Sequence, residues 1–325
     1  MVGHPMATEM TSDRPEAMRA LVARRSAPHG IELAEVDAPA PALDEALVDV
    51  RAVSLNRGEA RYLPRRQERT VHGWDVAGVV RQSAADGSGP REGARVVGLV
   101  DEGAWAERAA VRTDRLAELP DGVSFEDAST LPVAGLTAVR ALAVGAPLLG
   151  RRLLVTGAAG GVGRFAVQLA HRGGAHVTGV ARDQARGEGL AALGADDVIH
   201  ELAPEGEPFE VILESVGGAS LGAALTRVAP EGIVIAFGFS SGEPTTFDVS
   251  RFYPRDGARL YGLRVFDELD RHQSAVRDLR FLAEEVAAGR LDTQISVTKS
   301  WQDAGDALEA LVDRRVRGKA VLTID

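Results

Sequence analysis

The chain has 325 residues, of which 45% are hydrophobic and 26% are charged, so it is long enough for about two domains with buried cores. Its 37 Lys and Arg residues stand against 47 Asp and Glu residues, and this net charge of −10 argues against a nucleic-acid partner, because phosphate backbones require a basic surface. The chain contains no cysteine, which excludes disulfides, thiolate nucleophiles and Cys-ligated zinc or iron–sulfur sites.

The N-terminal segment has a composition that does not predict folded structure. Residues 1–17 are polar and lack the apolar core of a secretory signal, so we expect a flexible leader. No apolar run approaches the roughly 18–20 residues of a membrane span. We therefore expect a cytoplasmic protein that has no membrane partner.

Short strands dominate the region after this leader. They are rich in Val, are separated by Gly and Pro and lack helical periodicity, which is typical of a small β barrel or sandwich. The predicted strands are Met18–Ala23, Ile31–Val36, Glu45–Ala52, Trp74–Val80 and Arg95–Leu99.

From about residue 135 the sequence alternates between apolar strands and helices. Because the strands are apolar throughout, the pattern indicates an α/β fold with a parallel sheet covered on both faces. The predicted strands are Arg152–Gly157, His176–Ala181, Asp197–His200, Phe209–Glu214, Gly232–Phe237 and Arg259–Leu263. The predicted helices are Gly163–His171, Ala185–Leu193 and Ser220–Val228. A longer helix at Gln273–Ala288 and a last strand at Ala320–Ile324 either form a third unit or rejoin the first β region.

The strongest local motif is a glycine-rich turn between an apolar strand and a helix. It reads Gly157-Ala158-Ala159-Gly160-Gly161-Val162-Gly163. Small residues let a pyrophosphate approach the backbone N–H groups at a helix N-terminus, and Gly163 lets the helix pack closely on its strand. With the alternating strands and helices around it, the turn predicts dinucleotide binding by Ala159, Gly160, Gly161 and Val162. A tight turn without a ligand is the alternative.

The end of the next predicted strand bears on which dinucleotide binds. NAD-selective sites usually place an Asp or Glu there to bind the ribose hydroxyls, but this strand ends at Ala181 and is followed by Arg182 and Arg186. Two guanidiniums beside the ribose suit a 2′-phosphate, so we predict NADPH as the cofactor, bound in part by these two arginines. Alternatively, both are solvated and pair with Asp183 and Glu188.

Several further motifs occur in a characteristic order. They are Ser54-Leu55-Asn56, Gly73-Trp74-Asp75-Val76-Ala77-Gly78-Val79-Val80, Leu131-Pro132-Val133-Ala134-Gly135-Leu136-Thr137-Ala138, the glycine-rich turn, Leu193-Gly194-Ala195, Glu214-Ser215-Val216-Gly217-Gly218 and Arg317-Gly318-Lys319. With these motifs in this order and spacing, residues 18–325 resemble the medium-chain dehydrogenase/reductase superfamily, specifically its zinc-free quinone oxidoreductase branch.

The resemblance implies a two-domain architecture. Residues 18–135 and 263–325 would form a GroES-like β barrel domain, and residues 136–262 would form an inserted Rossmann domain that binds NADP(H). The active site would lie in the cleft between the two domains. The resemblance also implies a homodimer in which the edge strands of two Rossmann sheets join, here at Arg259–Leu263.

The resemblance further implies that the chain has no metal site. Zinc-containing members of the superfamily use a Cys early in the barrel and a Gly-His-Glu stretch shortly after it. Here Asn56 stands at the Cys position, and Gly73-Trp74-Asp75 replaces the stretch. An indole cannot bind a metal, and an amide is a poor zinc ligand. A metal pair formed by His72 and Asp75 is the alternative left open.

The missing metal bears on the reaction. Without a Lewis acid, a conjugated acceptor is easier to reduce than an isolated ketone, because it spreads negative charge over a π system. We therefore predict an NADPH-dependent reductase that transfers hydride to a quinone or an α,β-unsaturated carbonyl. Asn56 would donate a hydrogen bond to the substrate oxygen or orient the nicotinamide ribose, and either Tyr62 or water would supply the proton.

The resemblance places additional residues near the cofactor. These are Thr137, Val216, Phe237, Gly238, Phe239 and Lys319. Two other functions stay open on the sequence alone. One is an enoyl-thioester or polyketide-type enoyl reductase, which uses the same hydride chemistry, and the other is a non-catalytic protein that binds NADPH.

Overall fold

The computed structural model describes residues 16–272 and 275–325. The strands are β1 (Ala17–Ala23), β2 (Ile31–Asp37), β3 (Glu45–Leu55), β4 (Asp75–Gln82), β5 (Arg95–Leu99), β6 (Arg108–Arg112), β7 (Leu116–Glu118), β8 (Arg152–Val155), β9 (His176–Val180), β10 (Asp197–Ile199), β11 (Phe209–Glu214), β12 (Val228–Ala236), β13 (Arg259–Gly262), β14 (Ile295–Ser300) and β15 (Lys319–Thr323). The helices are α1 (Arg57–Tyr62), α2 (Phe125–Ser129), α3 (Leu136–Gly145), α4 (Gly161–Arg172), α5 (Gln184–Gly187), α6 (Gly218–Arg227), α7 (Val249–Phe252), α8 (Val265–His272), α9 (Val276–Ala287) and α10 (Ala304–Val312). Within these described ranges, no helix is long and apolar enough to cross a bilayer.

The Val-rich strands of the first region form the GroES-like domain. Its main sheet, the barrel sheet, has the strand order β14-β15-β3-β4-β5-β7, and β6 pairs with β3 as well. Two tryptophans, Trp105 and Trp301, are fully buried in its core, where they pack with aliphatic residues such as Leu55 and Leu322. The antiparallel pair β1 and β2 contacts this domain through an isolated bridge between Ala20 and Ala106.

The last strand of the chain completes the barrel sheet. β15 pairs antiparallel with β3, so that Leu322 lies opposite Val53, and β14 pairs in parallel with β15. The C-terminal part of the chain therefore rejoins the first β region, which is one of the two arrangements that the sequence left open.

The Rossmann domain contains a six-stranded parallel sheet in the order β10-β9-β8-β11-β12-β13. Its strands are apolar on both faces because both faces are covered: Leu153 and Val155 pack into one cluster, whereas Leu154 and Ile212 pack into another. The first cluster continues into the barrel sheet at Leu99, so the two domains share an apolar core. The strand order changes direction between β8 and β11, and ligands of such sheets bind at the carboxyl ends of the strands at this point.

Some predicted elements differ from the structure. The helix predicted at Ala185–Leu193 is wrong in length: α5 ends at Gly187, and Gly189 adopts a φ of +81°, which stops a helix. The helix predicted at 273–288 corresponds to α9, and residues 273 and 274 lie outside the described residues, as do residues 1–15 of the predicted leader. The domain boundaries stay a prediction.

Candidate active site

The glycine-rich turn lies where β8 gives way to α4. Gly157 adopts a φ of +60°, and Gly160 is the N-cap residue of the 12-residue helix α4. A Cβ atom added to Gly163 would lie 2.5 Å from the carbonyl oxygen of Gly157 and 2.6 Å from the Cα of Ala158. No side chain fits at position 163, and the absence of one lets the start of α4 pack closely against the backbone of the turn. The half-buried N–H groups of this helix N-terminus form a cradle that suits a pyrophosphate.

The C-terminal tail packs directly against this turn. The backbone N–H of Gly318 donates to the carbonyl of Ala159 over 3.0 Å, and Gly318 forms a parallel bridge with Gly160. A Cβ on Gly161 would lie 2.7 Å from the Cδ of Lys319. The tail thereby brings the buried side chain of Lys319 beside the predicted cofactor cradle.

Lys319 belongs to a buried polar cluster on the barrel side of the cleft. Its Nζ donates to the Oδ1 of Asn56 over 2.9 Å and lies 3.7 Å from the Oδ2 of Asp75. The Nδ2 of Asn56 donates to the same Asp75 oxygen over 2.8 Å, and the hydroxyl of Ser54 donates to it as well. The other oxygen of Asp75 accepts the backbone N–H of Val133 over 2.9 Å. Asp75 therefore has an amide, an ammonium, a hydroxyl and a backbone N–H around it.

Glu59 on α1 adds a second buried carboxyl to this cluster. Its oxygens accept the backbone N–H groups of Asn56 and Trp74 over 2.6 and 2.8 Å. Burial, followed by the charge of Asp75, raises the pKa of Glu59 to about 8. At neutral pH Glu59 is therefore protonated, which leaves one carboxylate, Asp75, to balance the ammonium of Lys319.

Other groups engage the two residues of the metal pair that the sequence left open. The Nε2 of His72 donates to the carbonyl oxygen of Glu59 over 3.1 Å, and burial lowers the pKa of His72 to about 4. Asp75, the other half of the metal pair left open by the sequence, is already bonded by the groups named above. In the described parts of the chain, no cluster of three or more His, Asp or Glu side chains could hold a metal ion.

Arginines surround the opening of the cleft. The guanidinium of Arg61 donates to the carbonyl of Phe239 over 2.9 Å and lies 3.7 Å above its ring. Arg314 donates to the carbonyl of Ser240 over 3.1 Å, and Arg186 donates to the carbonyl of Arg314 itself. These contacts link α1, the tail and α5 to the loop after β12.

The charges of these arginines are not neutralised by ion pairs. Within the described residues, neither Arg57 nor any of the three guanidiniums named above lies within 4.0 Å of a carboxylate. Partial burial, and then the neighbouring charges of Arg314, Arg186 and Arg61, lower the pKa of Arg57. Such an accumulation of like charge is suited to an anionic ligand.

Glu214 organises the loop at the end of β11. This fully buried carboxylate accepts the backbone N–H groups of Val216 and Gly217 over 3.0 and 2.9 Å. It also accepts the hydroxyls of Thr156 and Ser220. The buried side chain of Glu214 therefore holds the loop next to the glycine-rich turn in place. Val216 lies on this loop and is half-buried.

The structure brings most of the predicted site residues to this cleft. The glycine-rich turn, Lys319, Asn56 and the loop at Phe237–Phe239 lie on connected elements, as the contacts above describe. Thr137 is buried at the start of α3, where its hydroxyl donates to the carbonyl of Val133. Tyr62 is 42% exposed at the end of α1.

The two arginines after β9 differ from each other. Arg182 is exposed and lies 3.8 Å from Asp183, as the solvated alternative expects, whereas Arg186 is half-buried beside the tail. Glu188, the other carboxylate in that alternative, pairs with Arg317 at 2.7 Å.

Several residues of the site are missed by the sequence reasoning. Glu59, Arg57, Arg61 and Arg314 carry no motif that distinguishes them from surface residues, and Glu214 was named only as the first residue of the motif Glu214–Gly218. The signal available for Glu214 is its position at the end of an apolar strand and before two glycines. For the others, only the tertiary fold brings them together.

Known proteins resemble the chain in sequence and in structure. Residues 161–283 match the family model described as zinc-binding dehydrogenase. The chain is 29% identical over 319 residues to the chloroplast envelope quinone oxidoreductase homolog of Arabidopsis thaliana, an alignment that covers 90% of this chain and 94% of that protein. It is 31% identical over 257 residues to prostaglandin reductase-3 of Bos taurus, with 73% and 67% covered.

Two further similarities are to part of a much longer protein and to a solved structure. The chain is 31% identical over 304 residues to the pikromycin polyketide synthase component PikAII of Streptomyces venezuelae, which covers 90% of this chain and 8% of that much longer protein. The solved structure of the quinone oxidoreductase from Coxiella burnetii matches with a TM-score of 0.81 at 26% identity, covering 95% of this chain and all of that one.

Proposed function

Since the chain belongs to the medium-chain dehydrogenase/reductase superfamily, in its quinone oxidoreductase-like branch, we propose that it is a zinc-independent, NADPH-dependent reductase of quinones or α,β-unsaturated carbonyls. The fold of this superfamily implies a nicotinamide cofactor, and the glycine-rich turn offers the backbone cradle for it. The observation that carries the proposal is the buried cluster of Asn56, Asp75 and Lys319 beside that turn.

The arginines of the cleft support NADPH rather than NADH. A well-formed charge-assisted hydrogen bond to a 2′-phosphate contributes roughly 1.5–3 kcal/mol, and NADH lacks that group. Arg186 is the main candidate for binding the 2′-phosphate, because it follows the end of β9 by a few residues. Its guanidinium also lies near those of Arg57 and Arg314. Arg182, at the strand end itself, is exposed and available to the same phosphate.

The chemistry of the cluster supports a reaction that does not depend on zinc. An ammonium, an amide and a carboxylate in contact with both of them form a closed set, and neither an ammonium nor an amide is a good zinc ligand. Hydrogen-bond donors of this kind suffice when the developing charge is spread over a quinone or an enone.

Bound NADPH supplies a hydride for the β-carbon of an enone or for a quinone. Asn56 then donates a hydrogen bond to the substrate oxygen on which negative charge accumulates, or orients the nicotinamide ribose. A proton from water, or from the exposed phenol of Tyr62, completes the reduced product. Lys319, Thr137, Val216 and the loop at Phe237–Phe239 would line the nicotinamide side of the cofactor.

A second candidate is an enoyl reductase acting on thioesters. It is favoured by the similarity to the polyketide synthase component, which extends over 90% of this chain. Hydride addition to the β-carbon gives an enolate in both the enone and the enoyl thioester, so these candidates differ in whether the cleft also accommodates a thioester-linked carrier.

We further propose a homodimer that joins two Rossmann sheets through β13. Leu260 on this edge strand is 51% exposed, and the nearby Tyr253 and Val249 are 74% and 59% exposed. An open edge strand with exposed apolar side chains is suited to pairing with a second copy.

The test is to follow NADPH oxidation by absorbance with a benzoquinone, a cyclic enone, a crotonyl thioester and a simple aldehyde. We expect reduction of the quinone or the enone, little reduction of the aldehyde, and no loss of activity after treatment with a metal chelator. NADH in place of NADPH is expected to raise the KM for the cofactor by about tenfold or more. Good reduction of aldehydes without reduction of any quinone or enone would contradict the proposal, as would stoichiometric zinc in the purified protein.

A further inference from the structure

The side chain of Asn56 is held between two opposite charges. Its Oδ1 accepts a hydrogen bond from the ammonium of Lys319 over 2.9 Å, and its Nδ2 donates to the carboxylate of Asp75 over 2.8 Å. Asn56 is 9% exposed, Lys319 is 2% exposed and Asp75 is fully buried, so these contacts are shielded from water.

The two charges determine which way the amide faces. If the amide were reversed, its oxygen would face a carboxylate and its NH₂ group would face an ammonium, which places acceptor against acceptor and donor against donor. In a buried environment each of these mismatches is costly, because no water replaces the lost hydrogen bond. Only the observed orientation satisfies both partners.

The positions of the two charges are themselves fixed by the fold. Asp75 accepts the backbone N–H of Val133 and the hydroxyl of Ser54, while Lys319 also lies 3.4 Å from the carbonyl oxygen of Leu55. Lys319 and Asp75 stand on strands β15 and β4, which flank the strand β3 that leads into Asn56. The barrel sheet therefore holds the three side chains in register.

We propose that Lys319 and Asp75 are positioning residues that orient the Asn56 amide, so that its second Nδ2 hydrogen is the one donor it offers to the substrate oxygen or to the cofactor. An amide has two N–H groups and one oxygen. The oxygen and one N–H are engaged within the cluster, which leaves the second N–H for catalysis. This inference rests on the proposed function, and it gives Lys319 a role at the amide in addition to its place on the nicotinamide side of the cofactor.

Exchanging the amide of residue 56 with the carboxylate of residue 75 distinguishes an effect on the orientation of the amide from an effect on the stability of the protein. In the single variant Asn56→Asp, a carboxylate faces Asp75, so we expect loss of both thermal stability and quinone reduction. In the double variant Asn56→Asp/Asp75→Asn, the new carboxylate faces Lys319, and the new amide can donate to it while accepting the N–H of Val133. We expect the melting temperature to return close to that of the wild type, while kcat stays lower by about 100-fold or more, because residue 56 no longer has an N–H to donate.

Recovery of kcat together with the melting temperature in the double variant would overturn the inference, because the amide would then be only a structural element. Failure of the double variant to regain stability would also overturn it, because the charges would then not determine the arrangement. If the wild-type protein reduces neither quinones nor enones, the proposed function fails, and the orientation of the amide is still decided by the following measurement.

The two lysines of the chain, Lys319 and Lys299, provide a matched pair for a readout that is independent of activity. Lys299 is exposed and lies 3.9 Å from Asp306. In ¹H–¹⁵N spectra of the whole protein, Lys319→Met is expected to shift or split the side-chain amide signals of Asn56, which are assigned by their loss in Asn56→Asp. Lys299→Met is expected to leave them in place. Unchanged Asn56 signals in Lys319→Met would show that the lysine does not orient the amide.

Discussion

Replacing Glu59 by glutamine is expected to change how the stability of the barrel depends on pH. Burial and the charge of Asp75 raise the pKa of Glu59 to about 8 in the folded protein. In the unfolded chain, the pKa of a glutamic acid is about 4.3, as in short peptides. Between these two values the folded protein holds one proton that the unfolded chain has released. The free energy of unfolding therefore falls as the pH rises, by about 1.4 kcal/mol per pH unit.

His72 acts in the opposite direction over part of this range. Burial lowers its pKa to about 4, so between that value and about 6.5 the unfolded chain holds a proton that the folded protein lacks. In that window, stability rises with pH by the same amount per unit, and the two contributions cancel. Of these two groups only Glu59 contributes above a pH of about 6.5, and from there to a pH of about 8 its contribution amounts to about 2 kcal/mol.

Urea denaturation followed by tryptophan fluorescence measures this effect, because the three tryptophans, Trp74, Trp105 and Trp301, all lie in the GroES-like domain. The wild type is expected to lose about 2 kcal/mol between pH of about 6.5 and about 8, and Glu59→Gln is expected to lose almost none of it. Glu92→Gln, at an exposed position, is the control and should follow the wild type. Parallel curves for the wild type and Glu59→Gln would refute the reasoning, because Glu59 would then be ionised in the folded protein.

Three further changes test the cofactor site and the assembly. Gly163→Ala places a Cβ 2.5 Å from the carbonyl oxygen of Gly157, so calorimetry is expected to show loss of both NADPH and NADH binding. In the control Gly262→Ala, the added Cβ meets no atom within 4 Å, and this variant should bind both cofactors normally. Arg186→Gln is expected to weaken NADPH binding by about 10- to 100-fold with little effect on NADH; equal weakening of both would argue against 2′-phosphate recognition. Leu260→Asp is expected to halve the mass measured by light scattering, and an unchanged mass would exclude β13 as the interface.

Much of the Rossmann domain could be predicted from the sequence because its signals are local. Strand β11 was expected at Phe209–Glu214 and is found there, since a short apolar run rich in β-branched residues between polar segments favours a buried strand. The glycine-rich turn was predictable because backbone atoms lie within 2.6 Å of where a side chain at Gly163 would begin. Strand β6, Arg108–Arg112, was missed, because arginines at both of its ends conceal the alternation between them.

The polar cluster could not be predicted in the same way. Lys319 and Asp75 are far apart in the chain, so no local pattern connects them. Lys319 follows a turn glycine and Asp75 follows a tryptophan of the barrel, and neither neighbour indicates a buried polar cluster. The sequence predicted no metal site and left a metal pair of Asp75 with His72 open only as an alternative, because the two residues are close in the chain. The structure instead directs His72, which precedes β4, to the carbonyl of Glu59, and it directs Asp75, the first residue of β4, to Asn56.

The pairing of β15 with β3 has a consequence for the order in which the protein assembles. All six strands of the Rossmann sheet lie between residues 152 and 262, so this sheet can form while the chain is still being synthesised. Residues 52–55 of β3 must wait for β15, and until Lys319 arrives the carboxyl of Asp75 lacks this ammonium. The barrel sheet is therefore completed only after the Rossmann strands have been synthesised, and the polar cluster gains its cation from a strand that follows them in the chain.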